Sequence, residues 1–332
     1  MVEESPDAPQ NLPEMSQRQT NLPLVPPVDV ATMRKAPGTS DSVLFISLDS
    51  CRYDTFAAAH AAGELLNLQS VAPLHKAQAP SHFTYGSHAA FWMGFTPGVA
   101  DCDQPLINPK AGKLFRMAFA GRAGSDRDGF ELEGASVIEG FRRRGYRTIG
   151  TGAVDWFNPE TATGAVLGQP FERFHFAGNT WSLCKQLDWI EAELGEAPPK
   201  QPVFLFLNVG ETHVPYWHEG APWPRRPSPC IAFGGEHCDA VESARRQRAC
   251  LQWVDRQLAG LLQRFRAGTT LVCADHGDCW GEDGLWEHGI SHPATLTVPL
   301  MLRVHGEPVV RPSPSRTRSA RARLMRWWQA RF

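Results

Sequence analysis

Asp49, Glu211, His213, Asp275 and His276 each stand at or just past the end of an apolar run. Residues 43–48 (VLFISL) stop at Asp49. Residues 203–208 (VFLFLN) run into Glu211, Thr212 and His213. Residues 270–274 (TLVCA) run into Asp275, His276, Gly277 and Asp278. Carboxylates and imidazoles brought together from separate segments suit divalent metals far better than they suit a folding core. Short runs rich in β-branched and aromatic residues are what parallel strands covered on both faces look like. Parallel α/β sheets carry their functional groups just beyond the carboxyl ends of the strands. The three runs are therefore expected to deliver their polar ends to one edge of one sheet.

Helical spacing supplies the layers that such a sheet needs. Apolar residues recur at i, i+3 and i+4 over 53–68, and again over 180–194, where Leu183, Leu187, Ile190 and Leu194 form one stripe. A helix–strand pair is expected over 135–153 and a long amphipathic helix over 240–265. Residues 79–88 read as a loop leading into a helix over 89–94. A late strand over 298–304 carries Pro299, which is tolerated at a sheet edge. Alternating strands and helices predict a single α/β sandwich over 41–305. Residues 1–40, rich in Pro, Gln, Asn and Ser, read as a disordered leader. Residues 98–130 read as a surface excursion, and 214–240 as a loop dense in Pro, Trp and His.

The chain has 332 residues, 42% of them hydrophobic, which is enough for a substantial core. A net charge of −2 implies no general attraction to polyanions, so no specific nucleic-acid partner is expected. The eight cysteines contain no C-x-x-C pair, which disfavours a zinc ribbon, and Cys51 and Cys273 read as small apolar residues in or beside strands. Neither an export signal nor an apolar stretch of bilayer length, roughly 20 residues, is visible, so a cytoplasmic protein is the expectation. The tail from 306 to 332 is rich in arginine and carries Trp327 and Trp328. It reads as a solvated extension, with an arm contacting an anionic surface or partner as the alternative.

Four blocks in order resemble the alkaline phosphatase superfamily, in the branch of sulfatases, phosphodiesterases and phosphoethanolamine transferases. They are Leu48-Asp49-Ser50-Cys51-Arg52-Tyr53-Asp54; Thr84-Tyr85-Gly86-Ser87-His88; Glu211-Thr212-His213-Val214-Pro215-Tyr216; and Asp275-His276-Gly277-Asp278 with Gly281-Glu282-Asp283-Gly284 and His288-Gly289. Together they cover roughly 42–304, and the nearest resemblance is to small bacterial hydrolase-like members. The resemblance implies a three-layer α/β sandwich with a mostly parallel central sheet and a nucleophile at Thr84. Gly86 departs from the family's proline, which would leave the nucleophile turn less restricted, and Glu211 departs from its Asp. Thr84 cannot be matured to formylglycine, so ordinary sulfatase chemistry is disfavoured.

On that resemblance Asp49, Asp275 and His276 would cage a divalent ion, with Thr84 as fourth ligand. Zinc or manganese suits this donor set, and magnesium is the oxygen-rich alternative. Glu211, His213 and His288 would hold a second ion about 4 Å away, or the histidines would face the phosphoryl oxygens if one ion is bound. His88 is expected to point at the same anion. His292 reads either as a residue orienting another ligand or as a structural one, and Asp278 and Glu282 as turn and cap residues. The implied activity is that of a metal-dependent hydrolase or transferase acting on a small-molecule phosphoester through a covalent phosphothreonine. The alternatives are sulfatase-like chemistry, phosphomutase chemistry and an inert metal-binding scaffold.

Overall fold

The computed structural model describes residues 40–94, 136–196 and 200–310. The Pro-rich leader, the 98–130 excursion and the tail from 311 lie outside the described residues. In chain order the elements are β1 (Val43–Leu48), α1 (Tyr53–Ala61), α2 (Leu66–Gln69), β2 (His75–Gln78), α3 (Thr84–Met93) and α4 (Val137–Arg143). They continue with β3 (Arg147–Gly152), α5 (Ala162–Gly168), β4 (Arg173–Phe176), α6 (Leu183–Gly195), β5 (Val203–Val209), α7 (Ala240–Gln257) and α8 (Ala259–Arg264). The last are β6 (Thr269–Ala274), β7 (Cys279–Trp280), β8 (Trp286–Glu287), α9 (Pro293–Leu296), β9 (Thr297–Val304) and β10 (Glu307–Pro308).

One eight-stranded sheet runs β10-β9-β6-β1-β5-β3-β4, with β2 also on β9. The strands from β6 to β4 are mutually parallel, and β9 joins them antiparallel. Strand alternation sorts side chains by chemistry. Leu44, Ile46 and Leu48 of β1 and Leu205, Leu207 and Val209 of β5 enter an aliphatic core covered by α1, α2, α6, α7 and α8. Phe45, Phe204 and Phe206 point the other way, into an aromatic core with Tyr85, Ala89 and Trp92 of α3. Trp92 meets Phe206 edge-on at 4.7 Å between ring centroids. The mostly parallel three-layer sandwich is therefore as expected. The long loop after β5 packs its own cluster of Tyr216, Trp223, Cys230, Cys250 and Trp280.

Several boundaries differ from the sequence reading for local reasons. The helix expected over 53–68 breaks at Gly63, which takes φ +71°, and 240–265 divides at Leu258. The helix expected from 89 begins at Thr84, because Tyr85, Ala89 and Trp92 share one stripe on the aromatic face. Pro299 is not at a free edge: β9 is flanked by β6 and β2, and Pro299 lies opposite Lys76, beyond the β6 pairing. The sheet also runs past residue 305, since β10 pairs with β9.

A buried glutamine ties the strand-end loops to α7. Gln247 donates to the carbonyls of Ser50 (2.9 Å) and Thr212 (3.1 Å) and accepts from the Arg52 N–H (3.2 Å). Gln247→Ala would leave three buried backbone groups without partners, and is expected to cost about 2–4 kcal/mol. Urea denaturation checks this; a loss below about 0.5 kcal/mol would contradict it.

Candidate metal and catalytic centre

Register brings the first carboxylates together. Leu48 lies opposite Val209 of β5 and Ala274 of β6, so the next residues, Asp49, Gly210 and Asp275, stand side by side past the strand ends. Asp49 and Asp275 continue the parity of Phe45 and Cys273, which places both on the aromatic face where α3 begins. Both are completely buried. Glu211 falls one residue further along β5 and turns to the opposite face. There one carboxylate oxygen accepts from the Leu183 N–H at the start of α6 (2.9 Å). Burial pushes its pKa up to about 7, against the opposing pull of backbone hydrogen bonds. The expectation that Glu211 joins His213 and His288 at a second ion is therefore corrected: Glu211 belongs to neither of the two groups able to hold a cation among the described residues. On the site face its neighbour is Gly210, where a Cβ would lie 2.0 Å from the Thr180 carbonyl.

Within one group, ligand atoms of Asp49, Asp275 and His276 lie within 4.8 Å of one another. One oxygen of Asp275 accepts from the N–H groups of Ser50 (3.1 Å) and His276 (2.9 Å), while Oδ2 has no hydrogen-bond partner among the described residues. Burial first, and then the charge of Asp49, hold the Asp275 carboxyl well above the usual carboxylate range. The His276 pKa is lowered to about 3 by burial and by nearby His288. As a neutral ring it donates from Nδ1 to the Gly277 carbonyl (3.0 Å), which leaves the Nε2 lone pair free. Thr84 Oγ1 lies 3.2 Å from that Nε2. Two buried carboxylates, an orphaned oxygen, a free imidazole lone pair and a hydroxyl make a donor set that fits zinc or manganese.

Thr84 occupies the first position of α3, whose first turn has no side-chain cap. The positive end of the helix therefore faces the site. Ser87 holds this end against β6, donating to the Asp275 carbonyl (2.7 Å) and accepting from the Ser81 N–H (3.1 Å). Gly86 is required by close approach, because a Cβ there would lie 2.4 Å from Ser81 Oγ and 2.9 Å from the Phe83 ring. The glycine thus tightens the turn, contrary to the loosening expected from sequence.

His88 lies four residues below Thr84, inside the protein rather than at an anion. Its ring packs edge-on against Phe91, Trp92, Phe157 and Phe206. Nδ1 donates to the Thr84 carbonyl (2.7 Å), and burial lowers its pKa to about 4. The expected direct anion contact is corrected: His88 braces the Thr84 backbone.

The second group joins His276, Asp278 and His288. Asp278, read from sequence as a turn residue, is fully buried, and both its oxygens are engaged. One faces His288 Nδ1 at 2.7 Å; the other accepts from the Tyr216 hydroxyl at 2.7 Å, which itself accepts from Trp280 Nε1 at 2.7 Å. Burial alone would lower the His288 pKa, but the hydrogen bond and charge of Asp278 outweigh it and push it up to about 9. His288 thus carries positive charge beside His276 (ring centroids 4.5 Å) and His213 (5.1 Å). Asn208 also escaped the sequence reading: it donates to Asp49 Oδ2 (3.0 Å) and accepts from the Ala153 N–H (3.1 Å). Its only signal was one amide in an apolar strand. His292 caps α9 by accepting from the Ala294 N–H, and Glu282 pairs with Arg52 at 2.6 Å, both structural. Cys51, past a turn with Ser50 at φ +56°, packs in the aliphatic core.

No protein-family model matches the chain, and no curated protein sequence does. Solved structures do. An integral membrane lipooligosaccharide phosphoethanolamine transferase A from Neisseria meningitidis superposes with TM-score 0.54 at 13% identity, covering 81% of this chain and 48% of that one. The periplasmic domain of EptC from Escherichia coli, in complex with Zn, gives 0.53 at 12%, covering 82% and 75%. A candidate sulfatase from Bacteroides thetaiotaomicron gives 0.51 at 15%, covering 80% and 64%. This chain thus spans about half the length of the Neisseria protein. No helix among the described residues is long and apolar enough to cross a membrane. The chain, a layered α/β sandwich around a mostly parallel sheet, therefore shares the fold of these transferase and sulfatase structures.

Proposed function

We propose that this chain is a metal-dependent phosphoester hydrolase or phosphoryl transferase with Thr84 as nucleophile. The observation that carries the reading is the placement of Thr84 Oγ1, 3.2 Å from Nε2 of His276, which itself lies 3.9 Å from Asp49 Oδ1 and 3.6 Å from Asp275 Oδ2. Asp49, Asp275, His276 and Thr84 would hold one divalent ion. Bound there, the ion would lower the pKa of the threonine hydroxyl and neutralise phosphoryl charge.

The remaining steps belong to the chain's own residues. Thr84 attacks phosphorus from the first turn of α3, where the helix dipole favours developing negative charge. Its hydroxyl proton is lost to solvent, and its O–P bond forms as the bond to the leaving oxygen breaks, giving phosphothreonine. His288, held protonated by Asp278, faces the anionic oxygens and can deliver a proton to the leaving oxygen. His213 flanks the same space. Water or an acceptor alcohol then attacks phosphorus and frees Thr84. Because both Asp278 oxygens are already bonded, a single ion with His213 and His288 facing the phosphoryl group fits better than two.

Two outcomes test this reading. Thr84→Ala is expected to lower kcat on bis-p-nitrophenyl phosphate by roughly 10³-fold or more, with p-nitrophenyl sulfate a poor substrate throughout. Tight zinc binding without turnover of any ester would favour the inert scaffold. The second concerns the acid pair. The folded chain holds the Asp275 proton more tightly than the unfolded chain, so the contribution of this group to the stability of the metal-free protein is greatest below the ordinary carboxylate pKa. It falls as pH rises above about 4. Asp275→Asn is expected to remove that fall and raise the metal-free Tm at neutral pH. It should also abolish the zinc-induced stabilisation, about 2.7 kcal/mol at a hundredfold excess over Kd. Thermal denaturation with and without zinc reads both.

A further inference from the structure

A cavity of about 1140 Å³ is lined in part by residues that directly follow His213 and precede His288 in the chain, and the phosphoester chemistry does not account for it. Val214 and Glu287, the sequence neighbours of His213 and His288, form part of its wall. The rest is largely apolar, with Trp181, Pro224 and Ile231, but Arg225 and Arg226 also line it. Among the described residues neither arginine has a carboxylate within ion-pair range, whereas Arg52, Arg147, Arg245, Arg246 and Arg248 all do.

Arg225 is exposed, and among the described residues aromatic rings rather than a counter-ion adjoin it. Its guanidinium lies over the Trp181 ring at 5.0 Å and over the Trp217 ring at 5.3 Å. The two indoles meet edge to face at 5.9 Å and 83°. Trp217 is itself fixed by donating Nε1 to the Trp223 carbonyl (3.1 Å). Ring contacts of this kind use none of the guanidinium N–H donors, so the fork that takes a carboxylate or phosphate through two parallel hydrogen bonds stays available. A cation already pinned loses little conformational freedom on binding.

We propose that Arg225, pinned between Trp181 and Trp217, is the recognition point for a second anionic group on the substrate, carried on an apolar stem that lies along the cavity. The proposal rests on the phosphoester reading and narrows it: the ester at Thr84 belongs to an amphipathic molecule with a carboxylate or phosphate some atoms away. Arg226 adds charge at the same wall. Glu287, the acid in that wall, opposes an anionic arm, but the sign of the wall is set by two cations against one anion.

The test compares two 4-nitrophenyl phosphodiesters that differ only at the end of the stem, one of 6-hydroxyhexanoate and one of hexanol. The wild-type chain with zinc should prefer the carboxylate-bearing diester by about tenfold in kcat/KM, and Arg225→Ala should bring that ratio close to one. Arg225→Lys, which keeps the charge but not the fork, should fall between them. A wild-type ratio near one, or a ratio unchanged in Arg225→Ala, overturns the proposal. A separate arm uses Thr84→Ala, which needs no turnover: titrating 6-phosphonooxyhexanoate and hexyl phosphate by tryptophan fluorescence should show the same preference, again lost with Arg225→Ala. If neither diester is hydrolysed by the wild type but the binding preference is present, the phosphoester reading fails and the anion subsite stands. Equal binding of the two ligands overturns the subsite whatever the turnover.

Discussion

Two carboxyl groups buried side by side, those of Asp49 and Asp275, are the constraint around which the rest of the site is arranged. Asp49 and Asp275 are both inaccessible to solvent, and one Asp275 oxygen has no hydrogen-bond partner among the described residues. Burial and the charge of Asp49 hold the Asp275 carboxyl well above the usual carboxylate range, so a cation bound between the two would be strongly favoured. The surrounding structure concentrates the demand. Ser50 and His276 N–H groups take up one Asp275 oxygen, Asn208 takes up one from Asp49, and His276 is held neutral with its lone pair inward. Ligand atoms of Asp49, Asp275 and His276 nevertheless lie within 4.8 Å of one another.

The scaffold around these atoms is rigid by construction. Parallel register aligns the ends of β1, β5 and β6, and the aliphatic and aromatic cores lock the sheet from either side. Ser87 pins the start of α3 to the Asp275 carbonyl, and Gln247 ties the loops after β1 and β5 to α7. On the far side a Trp280–Tyr216–Asp278 chain of hydrogen bonds fixes His288. Each tie restrains a backbone or ring rather than adding a ligand, the division of labour expected where geometry must hold to fractions of an ångström.

How much of this was legible in the sequence depends on what each residue needs to know. Strand alternation and apolar runs carry Asp49, Asp275 and His276, because parity and strand ends are local properties. Thr84 was found through a motif resemblance alone, and its helix start was missed because the packing of Tyr85 and Trp92 decides it. Glu211 misled: it sits beside His213 in sequence, but one step of alternation turns it to the start of α6. Asp278 was undervalued because its partners, Tyr216 and His288, come from distant segments. His88 shows the reverse error, since a histidine near a nucleophile looks catalytic until the aromatic ring of neighbours around it is seen. Arg225 had no local signal, as its indole partners lie 44 residues before it and eight before it, counted from Trp181 and Trp217.

The central claim is that Thr84, Asp49, Asp275 and His276 grip one cation. Zinc K-edge X-ray absorption on the full chain with one equivalent of zinc tests it most directly. The account predicts one ion per chain in an all-oxygen-and-nitrogen environment at about 2.0–2.1 Å, disrupted by Asp49→Ala. Sulfur ligands at about 2.3 Å, or a spectrum unchanged by Asp49→Ala, would contradict it.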